Sequence, residues 1–380
     1  MQESSKSLLN FDVIIVGGGL AGLCNAIHLS KFDKRILLIE KNSYPIHKVC
    51  GEYISNEVLL YLQFLAVNPL HLGAVKINKF QLSTTRNKVV EAKLPLGGFG
   101  ISRYKLDFEL YKKALQNGTI AVQDSVTNIK YSSNKFKIET KENGVFTSTI
   151  CIGAFGKRSV LDLQLNRSFI KKQSPYLGVK IHVKGDYPEN LVGLHNFNGG
   201  YCGVSKVEQG AINLCYISSF SAFKKHKNIA DFQENVVFQN KFLKEIYTKS
   251  NPLFNQPLAI SQISFEQKNP VENHIIMCGD AAGMIHPLCG NGMSMAIQSA
   301  QLVAPLILRF LNDEIKSRDE LEEQYIALWN KQFKWRLKVG HFIAMLFRKQ
   351  KIANVLLYIV KKLPFLLPII IKQTHGKPIA

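Results

Sequence analysis

Gly17, Gly19 and Gly22 stand as GxGxxG between the apolar run Phe11–Val16 and a helix-like stretch Leu20–Lys31, and a second apolar run, Ile36–Ile39, follows. Few folds accommodate such a segment. Unbroken apolar runs rich in β-branched residues read as parallel strands covered by helices on both faces, so the order predicted is strand, turn, helix, strand. Gly17 permits the tight turn, Gly19 lets the backbone approach a pyrophosphate, and Gly22 lets the helix pack close to the strand. The free N–H groups of the helix start, around Leu20 and Ala21, then face the phosphates with the positive end of the helix dipole behind them. Glu40 ends the second strand 18 residues after Gly22, where it would accept hydrogen bonds from a ribose diol, with Lys41 beside it. This frame predicts dinucleotide binding.

At 380 residues the chain exceeds one ordinary core and points to two or three lobes. Leu106–Leu115 reads as a helix, and Ala121–Gly153 as short β segments ending in a Gly-rich turn. Tyr176–Tyr216 has period two, with turns at Lys184–Tyr187, Asn196–Gly200 and Glu208–Gly210, which predicts antiparallel strands of a separate lobe. Ile275–Cys278 reads as a further buried strand and Gly292–Leu311 as a long helix. With 46% hydrophobic and 20% charged residues, the composition is that of a globular chain and excludes disorder as the main state.

The net charge of +20 is unevenly placed, because residues 331–380 hold 11 Lys or Arg and no Asp or Glu. Such a tail predicts an anionic partner, either a membrane leaflet or an acidic carrier protein; a solvated basic face is the plain alternative. No nucleic-acid-binding module is present, so nucleic acid is not expected. Two late apolar runs, Ala353–Val360 and Leu363–Ile371, are split by Lys361 and Lys362 and interrupted by Pro364 and Pro368. Both fall short of the ~20 residues of a spanning helix. They suit helices that lie on a membrane, cover an apolar channel, or pack against the body. The seven cysteines form no CxxC pair, which argues for free thiols in a reducing cytoplasm and against a disulfide framework or zinc site. The polar opening lacks the apolar core of a secretory signal. A cytoplasmic location, peripheral to the inner face of the membrane, is expected, and no metal-ligand spacing stands out.

Cys278-Gly279-Asp280-Ala281-Ala282-Gly283 and the loop Pro287–Gly292 give the chain a resemblance, over Val13 to Ala300, to the FAD-dependent oxidoreductases that include aromatic hydroxylases, flavin halogenases and geranylgeranyl reductases. The resemblance implies an α/β fold: a Rossmann-like FAD-binding domain of the para-hydroxybenzoate-hydroxylase type, an antiparallel β-sheet substrate domain and C-terminal helices. The expected division is 1–80, 98–170 and 268–312 for the discontinuous FAD-binding domain, 81–97 and 171–267 for the β-rich substrate domain, and 313–380 for a basic helical region. The resemblance implies that Gly279 and Asp280 meet the ribityl chain. It also implies that Pro287, Gly290, Asn291, Gly292 and Met293 run beside the flavin, where a helix start would stabilise charge on the reduced ring.

Ser102-Arg103-Tyr104-Lys105-Leu106-Asp107 resembles the family's Arg-x-x-Leu-Asp helix start, implying that Arg103 reaches the FAD phosphates or ribose. Gly153–Ser159 departs from the hydroxylases' Asp-Gly-x-x-Ser, since Phe155 stands in place of Asp. Pro45, Lys48, Cys50 and Gly51 resemble the Pro…Lys-x-Cys-Gly motif of the prenyl reductases, and Gly283 follows them where hydroxylases carry His. Asn291, in place of their Glu, and the short Gly200-Tyr201-Cys202-Gly203 depart from them.

No second GxGxxG offers a stable nicotinamide domain, so NAD(P)H is expected as a transient electron donor, or a separate reductase supplies electrons. Cys50 is a candidate proton donor or reactive thiol, with a thiol pKa readily lowered beside Lys48 or a helix end; a buried inert Cys is the alternative. His286 is a candidate acid or base. The leading expectation is an FAD-dependent monooxygenase using NAD(P)H and O₂ on an apolar, aromatic or lipid-like small molecule. The competitor is a geranylgeranyl-reductase-like reduction of isoprenoid or enone double bonds, and the third reading a non-catalytic, membrane-associated flavin-binding protein.

Overall fold

β1 (Asn10–Val16) passes through the glycine turn into α1 (Leu20–Ser30) and returns along β2 (Ile36–Glu40). The strands pair in parallel, Val13 opposite Ile36. Every residue of α1 is buried, which explains a helix sequence without a polar face. The chain then forms β3 (Tyr53–Ser55), the hairpin β4 (Val75–Ser83) and β5 (Val89–Gly100), α2 (Arg103–Gln116) and β6 (Ile120–Gln123). Ser102 caps α2 by accepting from the Lys105 N–H at 3.0 Å, as short hydroxyl side chains do at helix starts. A meander of β7 (Val126–Ser132), β8 (Lys135–Thr140) and β9 (Val145–Gly153) follows. β9 lies parallel to β1 on the side away from β2.

The second sheet is completed by β10 (Tyr176–Lys184), β11 (Leu191–Phe197), β12 (Gly200–Lys206) and β13 (Ile212–Ser219), then by β14 (Asn251–Pro252) and β15 (Leu258–Ile260). The chain re-enters the first sheet as β16 (Val271–Glu272) and β17 (Ile275–Met277). It ends in α3 (Gly292–Leu311), α4 (Arg318–Arg348) and α5 (Leu366–Thr374). This is a computed structural model that describes residues 10–86, 88–172, 174–261, 263–348, 355, 358–363 and 365–378.

The first sheet runs β16-β17-β9-β1-β2-β6, with β8 beside β9 and β7 on β8. β1 therefore has neighbours on both sides whose connections leave in opposite directions, and a crevice opens at the carboxyl ends of such strands. α1 and α3 pack together over this sheet. The second sheet runs β14-β10-β13-β12-β11-β4-β5-β3, with β15 also on β10.

The structure corrects several expectations. The second sheet is mixed, because β4 joins β11 in parallel, Lys79 opposite Leu191. The early hairpin thus extends the edge of the β10–β13 meander, so the expected boundaries at residues 80 and 97 fall inside β4 and β5. Pro368 does not interrupt the last apolar run. It lies in the first turn of α5, where its missing N–H would have no intrahelical partner. Pro364 and residues 353, 354, 356 and 357 of the apolar runs lie outside the described residues.

Candidate functional site

A continuous cavity of about 1450 Å³ opens between the two sheets. Gly17, Gly19, Leu20, Ala21, Glu40, Lys41, Lys48, Arg103, Gly279, Asp280, Pro287, Gly290, Asn291, Gly292 and Met293 all line it, and so does Cys50. Residues separated by nearly 280 positions in the chain therefore meet in one place. Gly22 does not line the cavity but packs behind it. A Cβ there would stand 2.0 Å from the Gly17 carbonyl oxygen, so glycine is required for the close approach of helix and turn.

The donor set at the head of the cavity fits an anionic dinucleotide. Gly19 precedes α1 and Asn291 precedes α3 as N-cap residues, and neither helix has a side-chain cap or an acidic residue in its first turn. Their first N–H groups are thus left for a ligand. Gly17 has φ +104°, and a Cβ on it would meet the Ala154 carbonyl oxygen at 2.4 Å; a Cβ on Gly19 would lie 3.7 Å from the Arg103 guanidinium. The turn is a cradle that side chains would fill.

Arg103 is held by a buried acid, Nε to Asp107 Oδ1 at 2.6 Å and Nη2 to Oδ2 at 2.8 Å. Lys48 Nζ joins the same carboxylate at 2.8 Å. Burial by itself would raise the Asp107 carboxyl, but the guanidinium and ammonium outweigh it and hold the group below the usual carboxylate range. Two cations on one carboxylate leave a net positive charge for a diphosphate. Glu40 is more occupied than expected: it accepts from the Gly18 N–H at 2.7 Å and from the Asn42 N–H and Nδ2 at 2.9 and 2.7 Å. A carboxylate offers about four acceptor positions, so one is left toward the cavity. Burial raises the Asp280 carboxyl, which favours a group that exchanges hydrogen bonds with a neutral hydroxyl chain.

Further residues frame the site with no motif to announce them. Lys268 is buried, and its ammonium donates to the carbonyls of Lys157 and Asp280, each at 2.7 Å. It ties together the loops that follow β9 and β17. Glu52, Lys180 and His182 form a buried cluster, Lys180 Nζ at 2.5 Å from Glu52 Oε1 and His182 Nε2 at 2.6 Å from Oε2. Burial opposes the Glu52 charge, but the His182 hydrogen bond and the Lys180 ammonium hold its carboxyl below the ordinary range. The same carboxylate accepts the Arg103 N–H at 2.8 Å. Lys180 also donates to the Lys48 carbonyl at 3.2 Å, and Asn213 to the Cys50 carbonyl at 3.1 Å. β10 and β13 thereby fix the loop that presents Cys50.

The two catalytic candidates separate. Burial pushes the Cys50 thiol above its ordinary range, and the nearby Arg103 charge offsets only part of that. The lowered thiol expected beside Lys48 is corrected, because Lys48 spends its charge on Asp107; Cys50 stands in the cavity as a protonated thiol. His286 is buried and does not line the cavity. Its ring sits 4.5 Å from Phe265 and 6.0 Å from Tyr176 and Tyr201, and its Nδ1 accepts from the Leu288 N–H at 3.3 Å. It supports the turn before α3 from behind the cavity lining.

Much of the cavity wall is apolar, formed by Leu82, Leu194, Tyr201 and Ile263 of the second-sheet lobe and by Phe342, Leu367 and Ile371 of the C-terminal helices. The end of α5 is tied to the loop before α3, with Asn291 Nδ2 donating to the Thr374 carbonyl at 2.7 Å.

Fold and site together resemble those of the FAD-dependent oxidoreductases, with a Rossmann-like dinucleotide-binding unit at the head of the cavity. Residues 15–46 match the family described as NAD(P)-binding Rossmann-like domain, and residues 241–343 match the squalene epoxidase family. The chain is 23% identical to the digeranylgeranylglycerophospholipid reductase of Thermoplasma volcanium, over 87% of this chain and 85% of that protein. It is 20% identical to the menaquinone reductase of Mycobacterium tuberculosis, over 78% of this chain and 76% of that one. Among solved structures it resembles the flavin-dependent brominase Bmp2, with a TM-score of 0.77 at 16% identity, covering 95% of this chain and 93% of that one. It also resembles pqsL, a probable FAD-dependent monooxygenase from Pseudomonas aeruginosa, with a TM-score of 0.75 at 14% identity over 91% and 99% of the two chains. At these identities the structural likenesses establish the fold alone.

Proposed function

We propose that this protein reduces a carbon–carbon double bond in a long apolar, isoprenoid-like molecule, with FAD held across the two uncapped helix starts. When bound, FAD supplies hydride transfer, and NAD(P)H or a partner reductase supplies the electrons. The observation that carries this reading is the Cys50 thiol. Burial pushes it above its ordinary range, and it lines the same cavity as Lys48, Arg103 and the apolar residues of the second sheet. A neutral thiol suits the proton that must reach one alkene carbon as hydride reaches the other, so that the product gains two hydrogens in all. The Glu52–Lys180–His182 cluster and Asn213 hold the Cys50 loop in register, and Arg103 and Lys48 hold the diphosphate end. The apolar walls exclude water and align a flexible chain. Reductases of isoprenoid lipids and quinones among the relatives support the same substrate class. A cytoplasmic setting agrees with seven cysteines that are all free.

The test is anaerobic turnover of a geranylgeranyl-bearing lipid with chemically reduced enzyme, read by mass spectrometry. The expected product carries two more hydrogens per bond. Cys50→Ala is expected to slow it by about 10²–10⁴-fold, the usual worth of a placed general acid, while FAD uptake is unchanged. Activity should persist through neutral pH and fall only above the ordinary thiol range near 9.0, because deprotonation removes the donor. A second reading, monooxygenation of the same class of molecule, is favoured by the squalene epoxidase match over residues 241–343. It predicts a product that gains oxygen, with O₂ uptake coupled to it and little dependence on Cys50.

A further inference from the structure

The C-terminal helices present a face that the body of the protein leaves uncovered. On α4 the exposed residues Lys331, Trp335, Lys338, Phe342 and Met345 recur at helical spacing, while Phe333, Arg336, Gly340 and Ala344 are buried on the opposite side. On α5, Phe365, Ile369 and Lys372 form a matching exposed stripe, with Leu367 and Thr374 buried beneath it. Trp335 is 62% exposed and Phe365 60%. The two stripes meet where Trp335 Nε1 donates to Gln373 Oε1 at 3.1 Å. Between the helices, Lys361 and Lys362 are exposed, and no acid occurs anywhere in residues 331–380. Phe342 and Ile370 belong both to this exposed face and to the cavity wall, so the cavity opens there. Among the described residues only α3 is long and apolar enough to cross a bilayer, and most of it is buried in the core.

We infer that the α4–α5 face seats on an anionic membrane leaflet, with the mouth of the cavity at the level of the acyl chains. Aromatic and aliphatic side chains of the face enter the interface, while lysines reach the headgroups on flexible stems. The occupant is argued from charge. A face that interleaves exposed apolar and basic side chains, on a segment free of acids, complements an anionic lipid surface, which attracts each nearby cation. An isoprenoid-like substrate then enters sideways from the lipid and never crosses water. That last step rests on the proposed reaction; the docking does not.

The experiment uses the full FAD-loaded chain with vesicles of phosphatidylcholine and phosphatidylglycerol, and with phosphatidylcholine alone. Sedimentation is read together with tryptophan emission, since Trp335 is exposed and Trp329, the other tryptophan, is buried. The expected result is pelleting with the anionic vesicles that weakens with salt as the Debye length shrinks, and a blue shift of emission that Trp335→Phe removes. Lys361→Glu with Lys362→Glu should weaken binding by about tenfold or more. Phe365→Ser with Ile369→Ser should abolish the emission shift while FAD uptake stays normal, because neither side chain touches the cavity. The inference is overturned if anionic vesicles fail to pellet the protein at low salt. It is equally overturned if the free protein is a dimer with Trp335 already shielded from a soluble quencher, or if only an acidic protein, and no vesicle, protects Trp335. Vesicle binding by a protein that refuses FAD would leave the docking intact and remove the redox reading; FAD uptake and turnover without vesicle binding would do the reverse.

Discussion

Gly22 couples the first turn to the packing of the first helix through one short contact. Alanine there would place its Cβ 2.0 Å from the Gly17 carbonyl oxygen, and that atom belongs to backbone which also lines the cavity. Relief requires α1 to retreat from β1, moving the N–H groups that face the cavity. Gly22→Ala is therefore expected to weaken FAD binding by at least about tenfold, with a stability loss of ~1–3 kcal/mol typical of overpacking. Flavin titration and urea unfolding of the same preparation check the two effects together. Cys50 shows the opposite kind of dependence at the same scale. Its backbone is pinned by Asn213 and its loop by Lys180, so a change of side chain alters the chemistry without disturbing the scaffold.

Helix α4 is anchored to the body by one buried charge pair. Arg336 Nη1 lies 3.4 Å from Glu57 Oε2 and 3.0 Å from Gln298 Oε1, and burial raises the Glu57 carboxyl despite the guanidinium beside it. Removing the cation strands an uncompensated buried group. Arg336→Met should cost ~3–5 kcal/mol, and adding Glu57→Leu should restore most of it, since an apolar pair avoids the desolvation of both charges. Denaturant midpoints of the single and double variants decide this. If the single change costs nothing, α4 is held by its apolar contacts and by hydrogen bonds such as those of Arg318 to Thr149 and Tyr325 to Met277.

For the molecule as a whole, acid sensitivity follows from imidazoles that desolvation keeps neutral. Burial lowers His28, His47, His195 and His375 to about 4 from the usual 6.5. Below about pH 6.5 the unfolded chain takes up protons that the folded one refuses. The stability these groups allow is therefore complete above that value and is lost as pH falls toward about 4. Glu52 and Asp107, held below the usual carboxylate range, extend the loss to lower pH. Thermal unfolding followed from neutral pH to about 4.5 should move steadily to lower temperature, and a level midpoint across that window would contradict the assignment.

The local frame was legible because short-range chemistry governs it. GxGxxG between two apolar runs can bury its strands and satisfy its turn in essentially one way, and the strand, helix and strand appear at Asn10–Val16, Leu20–Ser30 and Ile36–Glu40. The long helix Gly292–Leu311 was likewise written in its periodicity. The tertiary structure alone decided how the pieces meet. It put the early β4–β5 hairpin on the edge of the later sheet, made Lys48 a partner of Asp107 and not of Cys50, set His286 behind the cavity lining, and gathered Glu52, Lys180 and His182 into one cluster. The two ionic outcomes depend on which buried carboxylates find partners across 59 to 130 residues of chain. Desolvation enforces such pairing strongly, yet it leaves no periodic trace in the order of the amino acids.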